Sequence, residues 1–221
     1  DEYWDEVNTD RRFNKIEVPS LIMGGWYDLY ATDAFDNFTG LKERGGSELA
    51  RGSKLIVGPW PHALSTSTKT GDIDFGAESM LDLDSIERDW FDIWLKGDKS
   101  DKEEAPLRLF VMGINQWRDE QEWPLARTDW QSWNLRSDGS ANSSAGDGKL
   151  SLEHAGDEPA DRFTYDPEMP VQTLGGNNCC SPEIVPWGPY DQRPAEARND
   201  VLCYTTDVLA EDLEVTGPIR L

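Results

Sequence analysis

The sequence predicts an α/β unit followed by an all-β, antiparallel sandwich. Three observations predict it. Two short unbroken apolar runs, Leu21-Ile22-Met23 and Leu55-Ile56-Val57, flank a stretch with apolar residues at 3–4 spacing, which reads as strand, helix, strand. After Pro106 the helical spacing gives way to short period-two segments separated by turn residues, as in sandwiches. Between the two patterns lies a charged run at residues 98–105, where a domain boundary is expected to divide 1–99 from 100–221.

Taken in order, residues 1–15 are mixed and polar, with Tyr3, Trp4, Val7 and Phe13 as anchors, and read as a short helix or an irregular lead-in. Pro19 stands at the start of the first strand, where its missing N–H breaks no ladder. That strand, Leu21 to Asp28, reads as buried on both faces, as in a parallel sheet. Thr32 is expected to cap the next helix, with Asp33 at the positive end of its dipole. Ala34, Phe35, Phe38 and Leu41 make its apolar face, and Gly45-Gly46 ends it. The second strand runs from Lys54 to Pro61 and stops at His62.

Residues 63–81, rich in Ser, Thr, Gly and Asp, read as a loop. Residues 82–96 carry the clearest helical pattern, with Leu83, Ile86, Trp90, Phe91, Trp94 and Leu95 as a wide apolar stripe and Gly97 as its stop. Each such side chain is worth ~1.5–3 kcal/mol when buried, so firm docking on the sheet is expected. Beyond the charged run, 107–113, 130–135, 150–152, 161–165, 201–205 and 213–216 read as sandwich strands. Residues 166–198 hold many prolines and glycines and no period, which predicts a long loop draped over the surface or the neighbouring domain.

Composition narrows function. With 43 acidic against 21 basic residues the net charge is −22, which argues against nucleic acid as a partner, since phosphate binding needs a basic face. The acids are spread along the chain. They are read as salt adaptation, because at molar salt a Debye length of ~3 Å screens their repulsion; the plainer alternative is an ordinary acidic protein. No apolar run approaches a membrane span, so a soluble protein, cytoplasmic or secreted, is expected. Three cysteines, two of them adjacent, make a poor disulfide framework and are read as small packing residues. The two histidines and the absence of CxxC or HExxH predict no metal site, and no cofactor is expected. A homo-oligomer is left open.

The chemistry concentrates at residues 21–62. Each strand there ends on a residue that carries charge or protons, Asp28 in one and His62 in the other. The α/β-hydrolase triad follows the chain order Ser, Asp or Glu, His, each at the carboxyl end of a strand. Asp28 then His62 matches the last two, with Asp33 and Asp36 as rivals for the acid. His62 would act as general base and acid, and Asp28 would orient it. No GxSxG occurs; Gly45-Gly46-Ser47-Glu48-Leu49 fails at its last position. The nucleophile is therefore expected outside this chain, which begins with Asp and is read as a piece of a longer protein, inactive by itself. Leu29, Tyr30 and Trp60 are candidates to touch a substrate. His154 sits in a polar loop and is expected to be solvated, and Asn142 heads the more accessible glycosylation sequon.

The run Gly24-Gly25-Trp26-Tyr27-Asp28, then Gly58-Pro59-Trp60-Pro61-His62, then Trp90 to Gly97, resembles the CocE/NonD acyl esterases and Xaa-Pro dipeptidyl-peptidases. Phe110 to Arg118, Trp123-Pro124 and Gly188 to Pro194 resemble that family's C-terminal domain. The resemblance implies the end of an α/β-hydrolase domain followed by a partial jelly roll of galactose-binding-like type. It implies that Asp28 and His62 are triad acid and base. It also implies a serine elbow, an oxyanion-hole tyrosine and a helical cap before this segment, and further jelly roll after it. The expected substrate is a small ester or a peptide, with hydrolysis through an acyl-enzyme. The competing expectation is a non-catalytic sandwich that binds carbohydrate or protein.

Overall fold

The computed structural model describes residues 2–97, 104–179 and 181–220. The chain divides into two compact units, one of residues 1–126 with 175–189 and the other of 127–174 with 190–221. Most of the charged run in which a boundary was expected lies outside the described residues.

The first unit opens with helix α1 (Glu2–Val7) and two short 3-10 turns. Strand β1 (Leu21–Tyr27), helix α2 (Ala31–Arg44), the short helix α3 (Glu48–Arg51) and strand β2 (Lys54–Pro61) follow. β1 and β2 pair in parallel, as the strand–helix–strand pattern predicts. Ala34, Phe35 and Phe38 of α2 are buried in one core cluster with Leu55 and Val57 of β2, and Leu41 is buried as well. The predicted Thr32 cap is not found: α2 begins two residues earlier than that cap implies, with Tyr30 at the cap position and no side-chain cap bond.

Two small strands, β3 (Lys69–Thr70) and β4 (Ile73–Asp74), form a hairpin within the loop that follows β2. Helix α4 (Leu83–Phe91) continues as a π-helical turn, Asp92–Lys96, and stops at Gly97 in the left-handed conformation. Its expected docking does not occur. Only Trp90 is buried; Phe91 is 55% exposed and Leu95 79%. Helical spacing collects apolar side chains on one face but does not supply a surface to cover them.

Strand β5 (Leu107–Val111) was expected to open the sandwich. It pairs instead in parallel with β2, and β6 (Gln116–Glu120) adds antiparallel to it, giving one mixed sheet in the order β1-β2-β5-β6. Leu107 and Leu109 are fully buried in the core of this sheet. An apolar run marks a strand but does not name its neighbour.

The second unit holds strands β7 (Asn134–Arg136) and β8 (Lys149–Ser151), paired antiparallel, and the short helix α5 (Arg193–Glu196). The expected strands at 161–165 and 213–216 are absent, and 201–205 contributes only isolated bridges, Leu202 to Asn142 and Thr205 to Lys149. Side chains do much of the holding here. Asp161 accepts from Ser137 Oγ, Tyr204 O–H and the Ala141 N–H, while Arg136 reaches both Glu153 and Glu158. Cys179, of the first unit, is disulfide-bonded, contrary to its reading as a packing residue, and Cys203 is a free thiol. No helix among the described residues is long and apolar enough to cross a membrane.

Candidate active site

Strand register brings Asp28 and His62 together. β1 and β2 run parallel with Tyr27 opposite Pro61, so the next residue of each strand emerges beside the other. The strands close tightly at this end. A Cβ on Gly25 would collide with the Trp60 carbonyl oxygen, a backbone atom that cannot swing aside. The register shifts between Gly25 and Tyr27, and this irregularity turns the end of β1.

Nδ1 of His62 lies 3.2 Å from both carboxylate oxygens of Asp28. An ionised carboxylate only accepts, so Nδ1 is the donor and Nε2 of the neutral ring holds the lone pair. Nε2 has no hydrogen-bond partner among the described residues. The two side chains differ in burial, 7% exposed for Asp28 and 50% for His62. A buried acceptor thus orients a half-exposed imidazole, the division of labour that proton transfer at Nε2 requires.

Asp28 is held by its own turn. Asp28 Oδ1 accepts the Tyr30 N–H at 2.9 Å, its N–H donates to Gly25 O and its carbonyl accepts the Ala31 N–H. The rivals Asp33 and Asp36 are exposed on α2, and the carboxylate within hydrogen-bond distance of His62 is that of Asp28.

The candidate substrate contacts separate. Tyr30 is exposed and meets the His62 ring edge-on at 5.5 Å, and Leu29 beside it is also exposed. Trp60 is a correction. It is 1% exposed and donates its indole N–H to Ser79 O, so it packs the core and has no surface to offer a substrate. Its neighbours Gly58 and Trp117 enclose it. Ser47, in the nearest approach to a serine elbow, caps α3 by accepting the Ala50 N–H and donates to Glu17 O. His154 is exposed, as expected.

Sequence reading missed Asn177. Its side-chain amide donates to Trp26 O at 3.1 Å and to Asp28 O at 2.9 Å. It lies in the Pro/Gly-rich stretch read as a long loop and is 149 positions from Asp28, so no local pattern announces it.

Comparison with known proteins gives two family matches. Residues 100–221 match the X-Pro dipeptidyl-peptidase C-terminal non-catalytic domain, and residues 1–64 match the X-Pro dipeptidyl-peptidase of the S15 family. The chain is 37% identical over 223 residues to a cocaine esterase from Rhodococcus sp. (strain MB1 Bresler), covering 99% of this chain and 37% of that protein. By structure it is similar to an aminopeptidase from a marine sediment Thaumarchaeota archaeon, with TM-score 0.73 and 22% identity over 96% of this chain and 34% of that one. It is also similar to an α-amino acid ester hydrolase, with TM-score 0.67 and 21% identity over 98% of this chain and 36% of that one. The two structural likenesses speak to fold. The chain spans little more than a third of each relative's length.

Proposed function

The chain belongs to the CocE/NonD-type, X-Pro dipeptidyl-peptidase-like family of ester and peptide hydrolases, and from that membership we propose that it is the proton-handling part of a serine hydrolase. The observation that carries the reading is the Asp28–His62 pair, hydrogen-bonded at the carboxyl ends of adjacent parallel strands. In this reading His62 takes the proton of a serine hydroxyl through Nε2, and Asp28 fixes the tautomer and stabilises the imidazolium. The serine attacks an ester or amide carbonyl, X-Pro peptide bonds among them. His62 returns the proton to the leaving group, and water then hydrolyses the acyl-enzyme by the same route in reverse order.

The serine, its oxyanion donors and most of the acyl pocket would lie on sequence outside these 221 residues. The chain by itself would then have no acyl-enzyme route. Tyr30 and Leu29, exposed beside the imidazole, would form one wall of the substrate site. Of residues 100–221, read from sequence as a partial jelly roll, the second unit, 127–174 with 190–221, would supply the sandwich. The exposed Trp130, Phe163 and Tyr165 favour a second role for that unit, ligand binding, which is compatible with catalysis by the first.

Fluorophosphonate labelling tests the reading. The full-length protein should label on a serine, and His62→Ala should slow labelling by several powers of ten, because the members of a triad act as a unit. Labelling at an unchanged rate would remove His62 from the role of base. The 221-residue chain by itself should not label.

A further inference from the structure

We propose that Asn177 is a positioning residue for the Asp28–His62 pair, an inference that rests on the reading of that pair as acid and base. Asn177 is exposed, so apolar burial does not explain its place. Its two amide protons go to two carbonyl oxygens, Trp26 O and Asp28 O, on either side of Tyr27. Both acceptors are carbonyls, so the amide orientation is unambiguous: Nδ2 must face them.

The bridge is selective for a bent strand. In an extended strand, with a rise of ~3.3 Å per residue, carbonyl oxygens two residues apart sit ~6.6 Å from each other. Oxygens 3.1 and 2.9 Å from a single nitrogen are separated by about 6 Å at most. Asn177 therefore fits the turned end of β1, where Trp26 has no register partner on β2, and not a straight continuation of it. That turned end is the conformation that presents Asp28 to His62.

The segment carrying Asn177 is itself anchored to the histidine strand. Gly176 and Gly188 exchange backbone hydrogen bonds of 2.7 and 3.0 Å, and Asn178 Nδ2 closes the same loop onto Gly175 O and Pro186 O. Pro189 O accepts the Asp72 N–H, and Thr70 Oγ1 of the same hairpin donates to Pro59 O of β2. A continuous run of hydrogen bonds thus leads from β2 through the β3–β4 hairpin and residues 175–189 to the end of β1. It ties the acid's strand to the base's strand independently of the Asp28–His62 bond.

The test uses the 221-residue chain and reads the His62 tautomer from the ring nitrogen shifts, detected through carbon-bound ring protons at a pH where the ring is neutral. The chain has two histidines, so assignment needs only His62→Ala. The wild-type ring should be the Nδ1–H tautomer. Asp28→Ala should convert it to the Nε2–H form that imidazole prefers in water. Asn177→Ala, and Asn177→Asp with an acceptor facing the two carbonyls, should each raise the Nε2–H share several-fold while the amide spectrum stays dispersed. Should the alanine variant not fold, Asn177→Gln, with the amide moved by one methylene, is read in its place. If Asp28→Ala shifts the tautomer and folded Asn177 variants leave it unchanged, the positioning role is overturned and the acid–base reading stands. If Asp28→Ala itself changes nothing, both fall.

Discussion

At the scale of single residues, the molecule uses short-range acceptors to hold donors in place. Asp28 does this for His62, and Asp161 does it in the second unit, where it accepts from Ser137, Tyr204 and Ala141. These bonds, with the Ser137 hydroxyl the largest cause, hold the Asp161 carboxyl below its ordinary range. The same pairing, helped by burial, pushes Tyr204 up to about 12 from its ordinary value of 10.0. The signs give opposite pH limits. A depressed carboxyl contributes stability above its unfolded value and loses it as pH falls through the folded one. A raised phenol contributes fully below pH 10 and loses that contribution as pH climbs towards about 12. Tyr204→Phe should therefore narrow its stability gap to wild type between pH 10 and 12, as measured by urea midpoints. A constant gap across that interval would separate Tyr204 from Asp161 energetically.

At the scale of elements, the end of β1 is governed by two glycines with different neighbours. A Cβ at Gly25 meets the Trp60 backbone, whereas one at Gly24 meets only Ala34 Cβ at 3.3 Å. Gly25→Ala should cost about 1–3 kcal/mol or more, and Gly24→Ala distinctly less, in urea unfolding. Equal costs would mean that the strand ends can part without penalty. Helix α4 provides a second contrast. Trp90→Ala should cost about 3 kcal/mol, because its side chain is buried. Phe91→Ser and Leu95→Ser should stay within about 0.5 kcal/mol, because both side chains already face solvent. Thermal midpoints of the three variants check this, and a large loss at Leu95 would show that its face is covered in solution.

At the scale of the whole molecule, charge dominates. A net charge of −22 opposes compaction, and raising salt from 0.1 to 1 M shortens the Debye length from ~10 to ~3 Å. The thermal midpoint should rise over that range in sodium chloride, with most of the gain reached once the repulsion is screened. A flat response would leave the acidic composition without a stabilising partner in salt and return it to an ordinary acidic surface. The mixed sheet sets the other large-scale feature. β1 lies at its edge and is only partly buried, while β2, flanked by β1 and β5, is buried along nearly its whole length.

Much of the first unit was legible in the amino-acid order, because its information is local. Apolar runs named β1 and β2, 3–4 spacing named the face of α2, and Asp28 and His62 stood out as the polar ends of matching strands. Parallel pairing then needed only those strand ends to bring the two side chains together. The second unit was less legible: the period-two segments yielded one hairpin and isolated bridges, held by side chains whose partners are far off in sequence. Sequence alone determined the acid and the base as candidates, the strand–helix–strand frame beneath them and the sign of the charge. Tertiary structure alone decided that Trp60 is core, that β5 extends the first sheet, that most of the apolar face of α4 beyond Trp90 stays exposed and that Asn177 donates to the carbonyls of Trp26 and Asp28. The physical reason is range. Periodicity and capping act over a few residues, whereas burial and hydrogen bonding depend on which distant segment arrives to cover a surface or accept a proton.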